Sequence, residues 1–171
     1  MESERKYIKD NLYDFFTAIL SDYGIAETDI PLIFDNEDGT RPKAPFLMIG
    51  FRNTVMPGMP NYSGVDTSGG GEVQSITHYV RRGMTMYGFG ERAVEVLEII
   101  KCQLNVGEWV DELRKKHLVI PQTFDTIETP QVFETSRENG ASFDFDLTYL
   151  RVIETEPGYV TDAGIIPEFN R

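Results

Sequence analysis

The sequence predicts an α+β fold in which an antiparallel sheet with a long hairpin packs against an N-terminal and a central helix. Two segments repeat apolar residues with the 3.6-residue period of a helix, and three others alternate apolar and polar residues as strands do. Their order is helix, hairpin, helix pair and two strands, which is typical of α+β proteins. The 171 residues fit one domain of ordinary size.

The first helix is predicted over residues 4–23, because its apolar residues recur on one face. Gly24 follows as a natural C-terminal cap. The face is rich in aromatic residues, so the helix should lie on a sheet or on a neighbouring subunit. The apolar positions are Ile8, Leu12, Phe15, Phe16, Ile19, Leu20 and Tyr23.

The hairpin is predicted from strands at residues 46–56 and 73–87, preceded by an extended segment at 30–34 and a turn at 35–39. The segment between the strands, 57–72, contains two prolines and five glycines and is predicted to be an irregular loop. Period-two alternation assigns the faces of both strands. The apolar faces are Leu47, Ile49, Phe51 and Val55 in the first strand, and Ile76, Val80, Met84 and Met86 in the second.

The second half of the chain predicts helices at 90–104 and 107–117 and strands at 118–124 and 142–153. The helix at 90–104 is apolar around most of its surface, which predicts burial on more than one side. Together with the aromatic first helix it carries more apolar surface than one small sheet should cover, so contacts between subunits are expected. In the last strand, Phe143, Phe145, Leu147, Tyr149 and Ile153 alternate with Asp144, Asp146 and Thr148.

The predicted domain covers residues 1–155, and residues 156–171 form a C-terminal extension. The extension has too little apolar content to fold alone, so we expect it to lie on its own domain or on a neighbour. Its apolar residues are Tyr159, Ile165, Ile166 and Phe169.

The composition is acidic: 28 Asp and Glu against 16 Lys and Arg give a net charge of −12. Binding to nucleic acid through its phosphates needs a basic patch, so the protein as a whole should repel DNA. The charge serves solubility, or else a surface that DNA passes without binding. The sequence predicts no membrane segment and no secretory signal, and its single cysteine suits a reducing cytoplasm.

No catalytic, cofactor-binding or metal-binding site is predicted. The segment Gly88–Ala93 fits G-x-G-x-x-A, but the preceding strand alternates and Glu91 would repel a pyrophosphate. Cys102 is interpreted as a core residue, and Asp144 and Asp146 as solvated carboxylates on an exposed edge strand. His78 and His117 lack the further ligands that a structural zinc site requires.

Two blocks of turn and loop residues resemble the phage neck-terminator, or tail-terminator-like, family. The first block runs from Phe34-Asp35-Asn36 through Arg41-Pro42-Lys43 to Pro45-Phe46, and the second is Tyr62-Ser63-Gly64-Val65-Asp66. The resemblance extends over about residues 5–155 and includes Met86-Tyr87-Gly88 and Phe143-Asp144-Phe145. The triple glycine Gly69-Gly70-Gly71 and the C-terminal extension depart from it.

The resemblance implies a tail-terminator-like fold and a structural protein of the virion neck or tail, made in the host cytoplasm. It implies a hexameric ring that caps the tail tube and contacts the head–tail connector, with DNA passing through without specific binding. An acidic lumen would let DNA slide, although charge on the outer rim would give the same total. A soluble non-catalytic binding module and a nucleotide-binding enzyme using Gly88–Ala93 are the alternatives.

Two regions are predicted to make the assembly contacts. The first is the assembly loop, Tyr62, Ser63, Gly64, Val65 and Asp66, which should contact neighbouring subunits or the tube. The second is the C-terminal extension with Tyr159, Ile165, Ile166 and Phe169, which should order on contact with a partner.

Overall fold

A computed structural model describes residues 2–35, 41–55, 61–66, 73–128, 131–133, 136–156 and 159–164. The helices are α1 (Glu2–Asp22), α2 (Glu91–Gln103) and α3 (Gly107–Lys115). The strands are β1 (Leu32–Phe34), β2 (Phe46–Val55), β3 (Asn61–Asp66), β4 (Val73–Phe89), β5 (Leu118–Thr123), β6 (Ile127–Glu128), β7 (Gln131–Phe133), β8 (Ser136–Glu138), β9 (Gly140–Glu156) and β10 (Tyr159–Gly164). In these ranges no helix has the length and apolar content needed to cross a membrane.

Eight strands form one mixed, mostly antiparallel sheet along the path β1-β2-β4-β9-β10, and β7 and β8 form a separate pair. The only parallel pair in the described part of this sheet is β1 with β2. The centre of the sheet is the long antiparallel pair of β4 and β9, which runs from Gln74↔Thr155 to Phe89↔Gly140. This confirms the predicted α+β class and the pairing of the two hairpin strands.

The β4–β9 pair divides the sheet into two parts. In the body, β2 lies beside the second half of β4, and β5 and β6 lie beside the first half of β9. In the arm, β3 lies beside the first half of β4 and β10 beside the second half of β9. The arm therefore extends the same two strands beyond the part of the sheet that carries the helices.

Helices α1 and α2 cover one side of the body, which we call the inner face. Phe16 of α1 packs edge-on against Phe145 of β9, with ring centroids 6.0 Å apart. Leu97 of α2 packs closely over Gly88 of β4. The predicted apolar residues of both helices and of the sheet meet in one core. Its members include Ile8, Leu12, Phe15, Phe16, Ile19, Leu20, Leu47, Ile49, Val80, Met84, Met86, Ala93, Val96, Leu97, Ile100, Phe143, Phe145, Leu147 and Tyr149.

The expectation that these helices need a neighbouring subunit to bury their apolar surface is wrong. Leu12, Phe16, Leu97 and Ile100 are all fully buried within the single chain. The sequence predicted a small sheet, but the body of the sheet has six strands (β1, β2, β4, β5, β6 and β9) and is wide enough to cover both helices.

Two apolar residues assigned to the core side are exposed. Tyr23 is 47% exposed at the end of α1, where its hydroxyl accepts a hydrogen bond from Gln103. Val55 is 57% exposed because the register of β2 against β4 shifts between Phe51 and Thr54. A β-bulge of this kind places two residues opposite one, so later side chains change face.

The predicted irregular loop is only partly irregular. Residues 61–66 form β3, which pairs with β4 from Asn61↔Thr77 to Asp66↔Val73. The glycines and prolines of this stretch concealed the strand, since both residue types are depleted in strands. The sequence also missed β6, β7, β8 and β10. The rest of the loop, and the predicted turn beyond Asp35, lie outside the described residues.

Candidate assembly surface

The side of the sheet that faces away from α1 and α2, which we call the outer face, holds most of the exposed apolar surface. Among the described residues, six large hydrophobic side chains are exposed. Strand alternation places three of them on the outer face, and the fourth, Phe124, lines a depression there beside Ile127 and Asp144. They are Val55, Tyr79, Phe124 and Ile127.

Two arginine–aspartate pairs occupy the centre of the outer face. Arg52 of β2 donates a hydrogen bond to Asp144 of β9, and Thr85 donates to the same carboxylate over 2.6 Å. Arg81 of β4 donates through Nε to Asp146 over 2.9 Å. These contacts join β2, β4 and β9 across the sheet.

The interpretation of Asp144 and Asp146 as solvated carboxylates on an edge strand is wrong. Strand β9 is central, with β4 on one side and β5 and β6 on the other. Asp146 is only 8% exposed. A buried carboxylate is costly unless it accepts hydrogen bonds, and the arginines of the neighbouring strands donate them.

The outer face is not flat. A depression of ≈ 510 Å³ lies over Gly83, whose missing side chain leaves the space open. A second depression of ≈ 300 Å³ lies between Phe124, Ile127 and Asp144. The Arg52–Asp144 pair separates the two, since each depression includes one of its members. The surface therefore has concave regions that side chains of another molecule can enter.

A buried ion cluster lies on the inner face, where the body meets the arm. Glu4 of α1 accepts two hydrogen bonds from Arg151, each of 2.7 Å, and one from the Tyr149 hydroxyl over 2.5 Å. A second guanidinium, Arg82, lies 3.7 Å from the same carboxylate. The pairing of β2 with β4 in the body ends here, at Val55↔Arg81, and the pairing of β10 with β9 in the arm begins here, at Val152. The cluster thus fixes the start of α1 to the base of the arm.

The cluster keeps Glu4 ionised. Burial raises the pKa of the Glu4 carboxyl, but hydrogen bonds from Arg151 and Tyr149 and the nearby positive charges lower it by more, so the pKa lies below its usual value. Burial, and then the hydrogen bond to Glu4, raise the pKa of Tyr149 to about 12. The phenol therefore stays protonated and donates to Glu4 at neutral pH.

Acid should weaken this cluster. Because the pKa of Glu4 is lower in the folded chain than in the unfolded one, its ionised form stabilises the fold above the unfolded value of about 4.3. That contribution is lost as the pH falls through the lower, folded pKa. We expect urea unfolding to show a large stability gap between the wild type and Glu4→Gln at neutral pH. The gap should shrink at pH about 3, and a gap independent of pH would contradict this assignment.

The predicted assembly loop lies in the arm. Tyr62, Ser63 and Val65 belong to β3, and their backbones pair with Ile76, Ser75 and Gln74 of β4. The register shifts between Ser63 and Val65, so Gly64 lies at an irregularity. Within the C-terminal extension, Tyr159 begins β10 and pairs with Glu156. Ile165, Ile166 and Phe169 lie outside the described residues.

The G-x-G-x-x-A segment has a packing explanation. A Cβ atom at Gly88 would lie 2.8 Å from Leu97 Cδ1 and 2.9 Å from the carbonyl oxygen of Ala93. Gly90 has a φ of 89°, a conformation that favours glycine. The first glycine therefore permits close packing of α2 on β4, and the second permits the turn between them.

Cys102 is exposed, so its interpretation as a core residue is wrong. It lies on the side of α2 that faces away from the sheet, which the nearly continuous apolar pattern of that helix did not distinguish. In the part of the chain that the structure describes, no group of three or more His, Cys, Asp or Glu side chains could hold a metal ion.

Sequence reasoning missed the outer face as a site. Arg52 and Arg81 lie on the polar sides of alternating strands, a position that by itself indicates only a solvent-facing residue. Arg and Asp residues on the polar sides of neighbouring strands could have indicated cross-strand ion pairs. Such pairs can be predicted only when the register of the strands is known. The exposure of Val55 depends on a bulge that the apolar pattern conceals.

The fold is a mixed, mostly antiparallel sheet with helices on its inner face, an arm beyond them, and exposed apolar side chains on its outer face. The chain belongs to the phage neck terminator protein family, whose family model matches residues 6–169, nearly the whole chain. This confirms the resemblance read from the sequence. The family is structural and non-catalytic, and membership implies association with other tail and head proteins in the neck or tail of the virion. A search of curated proteins gave no match.

Proposed function

We propose that the protein closes into a hexameric ring that caps the tail tube and joins it to the head–tail connector, with DNA passing through the ring. Assembly takes place in the host cytoplasm before the ring enters the virion. The observation that carries the proposal is the family match over residues 6–169. The outer face supports it, because Val55 and Tyr79 at one end and Phe124 and Ile127 at the other are exposed apolar positions where another protein can pack.

The charge of the chain supports passage of DNA without binding. Each copy has a net charge of −12. The arginines described at the centre of the outer face are already paired with aspartates. Phosphates bind tightly only where several unpaired cations meet them, so a ring of these subunits should not retain DNA.

The oligomeric state tests the ring directly. We expect light scattering on the purified full chain to give the mass of a hexamer, and negative-stain images to show rings with a central hole. The same imaging is made with isolated tail tubes, which supply a template for ring closure. Rings at tube ends support the proposal, and a monomer that leaves the tube ends uncapped overturns it.

The assembly loop and the C-terminal extension are proposed as contacts with neighbouring subunits or with the tube. Tyr62→Ala is expected to leave the melting temperature unchanged within a few degrees, because Tyr62 belongs to β3, which pairs with β4 in the arm and not in the part of the sheet that carries the helices. It should nevertheless reduce ring formation and the joining of tails to heads. Phage assembly scored by complementation is the measurement, and normal yields with Tyr62→Ala would remove Tyr62 from the proposed contact.

A further inference from the structure

We propose that Glu4 is a positioning residue that holds the arm in one direction relative to the body. Its carboxylate braces the place where the described part of the sheet is narrowest. The inference goes beyond the ring, since it concerns how a single subunit orients its own arm. The assembly loop lies in that arm, so the direction of the arm decides where the loop can make a contact.

The described part of the sheet narrows to two strands between the body and the arm. At His78↔Arg151 and Tyr79↔Leu150, β4 and β9 have only each other as described partners. Strands β2 and β5 end on the body side of these pairs, and β3 and β10 begin on the arm side. We call this two-stranded segment, residues 78–79 and 150–151, the waist.

The waist is the point at which the arm can swing. Two-stranded ribbons twist more than wider sheets and are only marginally stable alone, so they resist bending least. The helices stiffen the body, where α1 contacts β1 and α2 contacts β4 and β9. Among the described residues, no helix makes extensive contact with β3 or β10. Hinges in proteins occupy short segments of this kind between two stiffer parts.

Helix α1 braces the waist from the body. Ile8, Leu12 and Phe16 are fully buried, so the helix is fixed to the body along its inner side. Glu4 lies in the first turn of this helix and accepts two hydrogen bonds of 2.7 Å from Arg151 of the waist. A bidentate contact fixes the orientation of a guanidinium as well as its distance. A swing of the arm about the waist must therefore break or distort both bonds.

Burial makes this brace costly to open. Glu4 is 4% exposed and Arg151 is 9% exposed, so an opened contact leaves two charged groups poorly hydrated. On the body side of the waist, the Tyr149 hydroxyl donates to Glu4, and Arg82 lies 3.7 Å from its carboxylate. These contacts hold the carboxylate in place for Arg151.

Hydrogen exchange of the full chain tests the brace, with Glu4→Gln as the variant and Gly88→Ala as the matched control. Glutamine keeps the size of the side chain but removes its charge, so the arm should open more often. We expect the amides of β3, of β10 and of residues 73–77 to exchange at least about tenfold faster in Glu4→Gln than in the wild type. Gly88→Ala weakens the opposite end of β4, so it should accelerate the slowest amides of the body and leave those of the arm unchanged.

Two results would overturn the inference. One is exchange in the arm that Glu4→Gln leaves unchanged. The other is exchange in the arm that rises equally in Glu4→Gln and Gly88→Ala, since this would indicate a loss of global stability alone.

A second measurement leaves Glu4 and Arg151 unchanged, so it does not depend on the folding of Glu4→Gln. Spin labels are attached to the native, exposed Cys102 of α2 and to Asp66→Cys at the far end of β3. An excess of unlabelled chain ensures that the measured distances lie within one subunit. A braced arm gives one narrow distance distribution, and a broad one would overturn the inference. Neither measurement requires a ring, so failure here leaves the proposed function intact.

Discussion

Replacing Glu4 with alanine is expected to lower the free energy of unfolding by about 3–5 kcal/mol, the range for removing one member of a buried ion pair. The substitution leaves Arg151 and Arg82 without their carboxylate, and their side chains are only 11% and 15% exposed. A buried guanidinium with no counter-charge is costly because it has lost its hydration. Urea unfolding followed by the fluorescence of the single tryptophan, Trp109, measures the loss.

The matched control lies on the same helix. Lys6 and Asp10 form an exposed pair, with side chains 73% and 59% exposed. Asp10→Ala removes this pair and should cost no more than about 0.5 kcal/mol, because solvent screens exposed charges. Similar losses for Glu4→Ala and Asp10→Ala would show that the Glu4 cluster does not contribute as a buried network.

Most of the fold could be predicted from the sequence wherever one face of an element is buried. The apolar repeat located α1 within two residues at its start and one at its end, and alternation identified the core side of β4. Burial of one face makes the pattern in these elements strong. Strand β3 gave no such pattern, and β6, β7 and β8 are too short to show a period.

The candidate surface was much less predictable, since it depends on relations between strands. Arg81 meets Asp146 across 65 positions of sequence, and Arg52 meets Asp144 across 92. Only the register of β2, β4 and β9 brings them together, and that register includes a bulge at Phe51–Thr54. The acidic charge follows from composition alone, whereas the apolar surplus expected of the helices is buried within the single chain.

Gly88→Ala is expected to lower the free energy of unfolding by about 1–3 kcal/mol, the usual cost of overpacking a core. The Leu97 side chain could turn away from the added methyl group, but the Ala93 carbonyl belongs to the backbone of α2. The whole helix must therefore move away from β4. Gly107→Ala is the control, since a Cβ there has nothing within 4 Å and should leave the stability unchanged or slightly raised.

Gly88→Ala also distinguishes a packing role for Gly88 from a role in binding a nucleotide. If Gly88 and Gly90 approached a pyrophosphate, a dinucleotide would raise the melting temperature of the wild type, because a ligand that binds only the folded state stabilises it. We expect no shift with nicotinamide or flavin dinucleotides, together with a lower melting temperature for Gly88→Ala. A ligand-dependent rise that Gly88→Ala abolishes would contradict the packing role, because the clash with Ala93 and Leu97 acts whether or not a ligand is present.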